Sequence, residues 1–249
     1  MKATDPSELL TYGLHLGHKK NKIHPKAKSY IHSIEKGVSI IDLFQTAEYL
    51  DKAIAFAQDL GKNNKSLLVI ASKRGAREVV TDICKAANVP YMTNKWVGGF
   101  ITNFDQVLKN IQKMNKMREA ENSGDWEKIP KHERVAEHKK LHRKETIYIG
   151  AASLTALPDA IYVVDIRKEH NAINEAGQRG ITTIAIVDTN VNPEEITYPI
   201  PANDDAVLSI KYVSEAIINA YAEARTKAAE TESEPEVEGK VKVKKAAKK

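Results

Sequence analysis

Cysteine is almost absent from this chain. Cys84 is the single cysteine among 249 residues, which excludes an internal disulfide and any metal site built on paired cysteines. Long apolar runs are also lacking, since the longest, such as 67–71 and 160–164, fall far short of the roughly 20 residues that cross a bilayer. The first residues lack the apolar core of a signal peptide. We therefore expect a soluble, cytoplasmic protein with no membrane partner.

Nucleotide-binding and catalytic signatures are missing as well. Neither GxGxxG nor GxxxxGK[ST] occurs, so the glycines that let a dinucleotide approach the backbone are absent. The sequence also has no GxSxG motif and no cysteine with an activating partner. The pairs His15/His18 and His138/His142 have no third ligand nearby in sequence, so solvated histidines are the better interpretation. We expect no catalytic residue, no cofactor and no metal site.

What the sequence does contain is an alternation of strands and helices. Three β-branched runs, SLLVIA (66–71), AIYVVD (160–165) and ITTIAIVD (181–188), are apolar on both faces, as buried parallel strands are. Weaker strand patterns lie at 38–43 and 89–92. Helix-like segments lie at 47–61, 76–87, 168–178 and 204–225. This order predicts an α/β fold with a parallel sheet flanked by helices.

Two polar helical segments interrupt the alternation. Apolar residues recur at three- and four-residue spacing in 103–121, and 130–145 continues as a second helix with Val135 and Leu141 as its strong apolar residues. Joined by the turn NSGDWEKI, the segments predict an inserted helical hairpin of coiled-coil type. A solvated helix pair held by ion pairs is the alternative, which charge alone does not exclude.

Composition divides the chain into four parts. We predict a basic N-terminal segment over 1–45, an α/β core over 46–102 and 146–225, the hairpin insertion over 103–145, and a disordered charged tail over 226–249. The tail carries an acidic block followed by a basic one. It has almost no apolar content to offset the entropy of ordering.

The most unusual stretch is HLGHKKNKIHPKAK, residues 15–28, which holds five lysines and no acid in a chain of net charge +5. Gly17 and Pro25 prevent one long helix from dispersing these charges, so we expect them to share an irregular surface. A phosphate backbone neutralises such a cluster with release of counterions. The stretch therefore indicates a nucleic-acid partner.

Two loops add basic and aromatic residues. SKRGARE, after the first strand, places Lys73, Arg74 and Arg77 at a helix start, where free backbone amides can hold an anion. An ordinary basic loop is the alternative there. Trp96 follows Lys95 in NKWVGGF, and either stacking on splayed bases or burial in the core suits its ring. The same two alternatives hold for Tyr30 and Phe100.

Six motifs in register give the chain a family resemblance. They are YGLHLGHKKNKIHPKAKSYI, GVSIIDLFQT, TNKWVGGFITNF, LPDAIYVVD, GITTIAIVDTNVNP and IPANDDA. From about residue 7 to 225 the chain resembles the bacterial family of the second protein of the small ribosomal subunit. The resemblance implies a Rossmann/flavodoxin-like domain with a protruding coiled-coil hairpin, no enzymatic activity, and a structural role in the cytoplasmic ribosome.

The resemblance also implies partners. These are small-subunit ribosomal RNA and neighbouring small-subunit proteins, including ribosomal protein one, and no homo-oligomer is expected. The predicted RNA-binding residues are His15, His18, Lys19, Lys20, Lys22, Lys26, Lys28, Lys73, Arg74, Arg77, Lys95, Trp96, Asn103, Lys109 and Lys113. A hairpin that chiefly docks proteins is a variant of this interpretation.

A different function stays open on the residues alone. An α/β protein that binds phosphate or a nucleotide, or an enzyme, would use the crevice near Gly75, Asp165 and Asp188, because the latter two end strands at the edge where ligands of such sheets bind. The competing interpretation is that both aspartates cap the loops that follow.

Overall fold

A computed structural model describes residues 4–233 of the chain. The helices are Pro6–Thr11 (α1), Leu43–Lys62 (α2), Arg77–Ala86 (α3), Phe104–Asn122 (α4), Lys131–Tyr148 (α5), His170–Arg179 (α6) and Val207–Ser233 (α7). The strands are Leu16–Lys19 (β1), Ile31–Glu35 (β2), Val38–Ile41 (β3), Leu67–Ile70 (β4), Tyr91–Met92 (β5), Ala160–Val163 (β6), Thr182–Val187 (β7) and Tyr198–Pro201 (β8).

Five of the strands form a parallel sheet in the order β5-β4-β6-β7-β8. Its register pairs Leu67 with Ala160 and Ala160 with Thr182. The central strands are buried on both faces, which is why their sequences are continuously apolar instead of alternating. The three predicted runs are confirmed as β4, β6 and β7, and the predicted flavodoxin-like α/β class is confirmed with them.

Helices cover both faces of this sheet. Alternate residues of each strand point to opposite faces, so Val69 and Tyr162 pack with α2, α3 and α7, whereas Ile70 and Val163 pack with α6 and the base of α4 and α5. Helices α2 and α7 approach closely at Gly61, where a Cβ atom would lie 2.4 Å from a backbone oxygen of α7. Only glycine allows that approach.

Two features of the strands differ from the sequence prediction. The strand expected at 38–43 exists as β3, but it belongs to a separate antiparallel sheet of order β1-β3-β2. Strand β8, with Pro199 and Pro201, is not predicted by the pattern. It lies at the sheet edge and pairs only with β7 among the described strands, where missing backbone donors are tolerated.

The inserted helices α4 and α5 lie antiparallel. His138 Nδ1 contacts Glu121 Oε1 at 2.8 Å, and Lys144 Nζ donates to Asn110 Oδ1 at 3.0 Å. Met114 and Leu141, one from each helix, are buried. The hairpin thus combines polar contacts with a few apolar ones, and its interpretation as a coiled coil stays a prediction.

Helix α7 corrects the expected start of the tail. It continues to Ser233, so the boundary at 226 falls inside a helix. Residues 226–233, TKAAETES, are rich in good helix formers, and Thr226 Oγ1 donates to Ala222 O at 2.9 Å. The expected disorder of 234–249 concerns residues outside the described range. Within 4–233, none of the helices combines the length and apolarity needed to cross a bilayer.

Candidate nucleic-acid interface

The basic N-terminal surface consists of the exposed side chains of Lys19, Lys20, Lys22, Lys26 and Lys28. They lie on β1 and on two 3₁₀ turns, Lys20–Lys22 and Pro25–Tyr30. The second turn begins at Pro25, whose fixed φ suits a helix start. The chain therefore bends twice within a few residues, and all five lysines are exposed on this irregular segment.

These lysines are neutralised unevenly. Lys26 pairs with Glu194 and is the one member that forms an ion pair within residues 4–233. Lys22 lies near enough to Asp205 for its charge to help lower the pKa of that carboxyl, although Lys73 contributes more. In the part of the chain that the structure describes, Lys19, Lys20 and Lys28 face no carboxylate partner. An anion from outside can neutralise them.

A surface depression lies beside Lys19 and Lys20. Its volume is about 620 Å³, and its lining residues are Lys19, Lys20, Asn21, Lys36, Gly37 and Val38. Lys36 and Gly37 have φ angles of 49° and 81°, which form the tight turn between β2 and β3. That turn brings a sixth lysine, which our sequence analysis missed, next to Lys19 and Lys20.

Thr189, which follows β7, fastens the basic N-terminal surface to the sheet. His18 N donates to its Oγ1 at 2.9 Å, and His24 N donates to its backbone oxygen at 2.8 Å. Gly17 permits this contact, since a Cβ there would lie 2.6 Å from Ser39 Oγ and 2.8 Å from Thr189. The basic surface is thus held on a rigid support.

His18 faces inward, toward this support. Its Nδ1 lies 3.0 Å from Asp188 Oδ2, and its Nε2 lies 3.1 Å from Asn190 Nδ2. The contact with Asp188 raises the pKa of the imidazole, against the opposing effect of burial. His15 also turns inward, with a buried Nδ1 that has no hydrogen-bond partner among the described residues. Contact of these two histidines with RNA stays a prediction that the geometry does not favour.

Lys73 is likewise occupied within the fold. Its ammonium lies 2.9 Å from Asp204 Oδ1, 2.7 Å from Asp205 Oδ1 and 3.4 Å from Asp165 Oδ2. Burial opposes its charge, but the hydrogen bonds to Asp205 and Asp204 outweigh burial and raise the pKa of Lys73. The lysine nearest the crevice that a small molecule would use is therefore paired with the chain's own carboxylates.

Asp204 titrates unusually in this crevice. Burial, reinforced by the neighbouring Asp165 and Asp188 charges and only partly opposed by Lys73, raises the pKa of Asp204 to about 6. Close carboxylates compete for one ammonium here, which disfavours ionising all of them.

The aromatic residues of NKWVGGF belong to the core. Trp96 is 8% exposed and Phe100 is fully buried. Trp96 Nε1 donates to Glu175 Oε1 at 3.0 Å. Of the two alternatives for Trp96, the structure therefore has burial in the core. Because its ring is enclosed, Trp96 is withdrawn from the predicted RNA-binding residues. Tyr30 is half-buried, with its ring edge-on to Tyr49.

Glu175 on α6 organises the loop around Trp96. Its two oxygens accept, besides the indole, the backbone amides of Gly99, Ile101 and Thr102 at 2.9 to 3.2 Å. Burial raises the pKa of this carboxyl, but the hydrogen bonds from Trp96 and the three amides outweigh it and keep the pKa low. Sequence reasoning missed this residue because its donors lie in another segment.

The hairpin presents its own cationic side chains. Lys109 and Lys113 are exposed on α4. Lys144 on α5 lies near Lys113. Partial burial and the Lys113 charge both lower the pKa of Lys144. Two like charges on neighbouring helices favour an anionic partner. Lys144 is absent from the predicted residues, since its neighbour is in a separate helix.

The remaining predicted RNA-binding residues lie in loops or, for Arg77, at the start of α3. Arg74 and Lys95 are exposed, as is Asn103 immediately before α4. Arg77 donates from Nε to Thr93 O at 2.9 Å and from Nη2 to Asn94 O at 3.0 Å. It therefore holds the loop that follows β5.

Comparison with known proteins gives one consistent result. The family model described as Ribosomal protein S2 matches residues 9–224. The small ribosomal subunit protein uS2 of Dictyoglomus thermophilum is 38% identical over 218 residues, covering 88% of this chain and 89% of that relative. The proteins of the same name from Cytophaga hutchinsonii and Chlorobaculum tepidum are 40% and 36% identical, covering 87% and 90% of this chain and 85% and 90% of those relatives.

Proposed function

The chain belongs to the ribosomal protein S2 family, and on this premise we propose that its basic N-terminal surface and its hairpin are the parts that contact ribosomal RNA. The chain is a structural constituent of the small ribosomal subunit and not an enzyme. Its partners are small-subunit ribosomal RNA and neighbouring small-subunit proteins, and its localisation is that of the ribosome, in the cytoplasm.

One observation carries the choice of surface. Lys19, Lys20 and Lys28 are exposed and without a carboxylate partner within residues 4–233, on a segment fastened to the sheet through Thr189. Unpaired ammonium groups on a segment whose backbone is held in place favour a phosphate backbone, because binding releases counterions and does not require the segment itself to be ordered. Lys36 extends the same surface.

The hairpin is the second part of the proposed interface. Lys109, Lys113 and Lys144 supply the charge there. Ion pairs, such as Arg118 with Glu145 at 3.3 Å, and a few apolar contacts hold its two helices together. The remaining predicted contacts, at Arg74, Lys95 and Asn103, lie in loops between the two parts.

We propose ribosomal protein one as a specific protein neighbour, as the family resemblance implies. Leucines at α1 and at the start of α7 support a protein contact: Leu10 is 53% exposed and Leu208 is 58% exposed. The two elements meet through Tyr12 and Tyr212, whose rings lie 4.8 Å apart. Apolar side chains of this size favour a protein partner over RNA.

Ultraviolet and lysine-directed cross-linking of small-subunit particles that contain the chain tests these proposals in one experiment. We expect RNA-linked peptides to cover 19–28 and the helices of the hairpin. Peptides linked to ribosomal protein one should cover α1 and the start of α7. Hairpin peptides linked only to proteins would support the protein-docking variant. RNA links confined to other faces would contradict the proposal.

A further inference from the structure

The depression beside Lys19 and Lys20 has the size of a site for a small chemical group. Its volume of about 620 Å³ lies within the range of roughly 300 to 1,000 Å³ that ligand sites have. We call it the lysine depression, and its lining residues are Lys19, Lys20, Asn21, Lys36, Gly37 and Val38. The lining combines three ammonium groups with apolar surface, because a lysine side chain is apolar along its methylene stem.

Backbone pairing holds the walls of the lysine depression in place. Lys19 pairs with Val38 across β1 and β3, and Lys20 N donates to Gly37 O at 2.9 Å. Gly37 has a φ of 81°, and a Cβ atom there would meet no atom within 4 Å. The missing side chain of Gly37 therefore leaves one wall open. Because the backbone is already ordered, binding in the depression does not require the walls to form first.

Val38 gives the lysine depression an apolar floor. Ser39, the next residue of β3, is buried and its Oγ lies 3.0 Å from Thr189 Oγ1. Successive side chains of a strand point to opposite faces, so Val38 points away from Thr189, and it is only half-buried. A flat group such as a nucleobase can pack on it. Asn21 is exposed in the same lining, and its amide offers a donor and an acceptor to the edge of a base.

The charge of the lining favours a phosphate group. Within residues 4–233, none of the three lysines of the lysine depression forms an ion pair. Glu35, which pairs with Val38 across β2 and β3, is not among the lining residues. An acidic peptide would also complement the three ammonium groups. A nucleotide fits the lining better, because it carries a phosphate next to a flat base, and the depression has cationic groups next to an apolar floor.

We propose that the lysine depression takes one unpaired nucleotide of ribosomal RNA, with its base on Val38 and its phosphates on Lys19, Lys20 and Lys36. The proposal rests on the proposed function, in which this surface contacts RNA. In a regular duplex the bases are stacked and paired, and only an unpaired nucleotide can be splayed out toward a protein. The depression therefore distinguishes an unpaired position from a regular helix, which charge alone does not do.

Two RNA hairpins that differ only in one bulged 2-aminopurine nucleotide test the proposal with the full chain. We expect the bulged RNA to bind about tenfold more tightly, because removing on the order of 60 Å² of base surface from water is sufficient for that gain. The fluorescence of the 2-aminopurine should change on binding. Both affinities should fall as salt is raised, but their ratio should stay constant, since the base carries no charge.

Two variants separate the lysine depression from the rest of the basic N-terminal surface. Val38→Phe fills the depression from its floor, on the side away from Thr189, and should abolish the preference for the bulged RNA with little effect on the other RNA. Lys28→Gln is the matched control, because Lys28 is exposed on the same surface but outside the lining. It should lower both affinities alike and keep the preference.

Equal affinities of the native chain for the two RNAs would overturn the proposal, and so would a preference that folded Val38→Phe retains. Salt-dependent binding of both RNAs in those cases would leave the proposed RNA contact standing, whereas binding of neither RNA would contradict both proposals. In small-subunit particles, a photo-cross-linking Asn21→p-benzoylphenylalanine variant should link to an unpaired nucleotide. Links to a protein alone would overturn the proposal, because they would assign the lysine depression to a protein partner.

Discussion

Loss of four lysines from the basic N-terminal surface is expected to lower the affinity of the chain for small-subunit ribosomal RNA by on the order of 10³-fold at about 0.1 M salt. In this variant, glutamine replaces four lysines: Lys19, Lys20, Lys22 and Lys28. Each phosphate contact contributes roughly one unit to the slope of log affinity against log salt, so the slope should fall by about three to four units. Filter binding at stepped salt concentrations measures both quantities.

Lys26→Gln is the matched control for this variant. Lys26 is exposed on the same surface, but its charge is already paired with Glu194, so its removal should change the slope by well under one unit. A four-lysine variant with the native slope would contradict the assignment of these residues. So would a loss of affinity that is equal at all salt concentrations, because it would indicate damage to the fold.

Replacing Glu175 by alanine is expected to lower the free energy of unfolding by about 3 kcal/mol or more. The change leaves Trp96 Nε1 and the amides of Gly99, Ile101 and Thr102 without their acceptor. Buried donors without partners carry a desolvation penalty, and the enclosed loop gives water little access to replace the carboxylate. Urea unfolding at pH 7 measures the loss. Glu119→Ala, at an exposed position of α4, should change stability by less than about 0.5 kcal/mol.

The pH dependence provides a second test of Glu175. Its pKa in the folded chain is below the ordinary value of 4.5, so its contribution to stability is fully present above that pH and is lost as the pH falls through the lower, folded value. The native chain should therefore lose stability more steeply below about pH 4.5 than the Glu175→Gln variant does. Parallel slopes for the two proteins would contradict the bonding described here.

The α/β core could be predicted because local pattern and burial agree there. β4, β6 and β7 are continuous β-branched runs, and strands of that kind are buried on both faces in a parallel sheet. β8 could not be predicted, since Pro199 and Pro201 argue against a strand wherever the sheet position is unknown. The end of α7 lies beyond the predicted boundary because low apolar content does not by itself prevent a helix, and alanine, lysine and glutamate are good helix formers.

The candidate interface, like the fold, has features that the local sequence predicts and others that it does not. A run of lysines without acids can be recognised locally, and the exposure of all five lysines agrees with it. The pairing of Lys26 with Glu194, the capture of Lys73 by three carboxylates and the contact of His18 with Asp188 join residues far apart in sequence. Such contacts follow from the topology of the sheet, which brings the loops after β4, β6, β7 and β8 to one edge. No spacing in the sequence reveals them.

Sedimentation of small-subunit particles reconstituted from all components except this chain, to which the native chain or the four-lysine variant is then added, tests the central claim most directly. The native chain should sediment with the particles in moderate salt. The folded four-lysine variant should stay at the top of the gradient at the same salt concentration and return to the particles as salt is lowered. Equal incorporation of both proteins at every salt concentration would contradict the claim that these lysines bind the RNA.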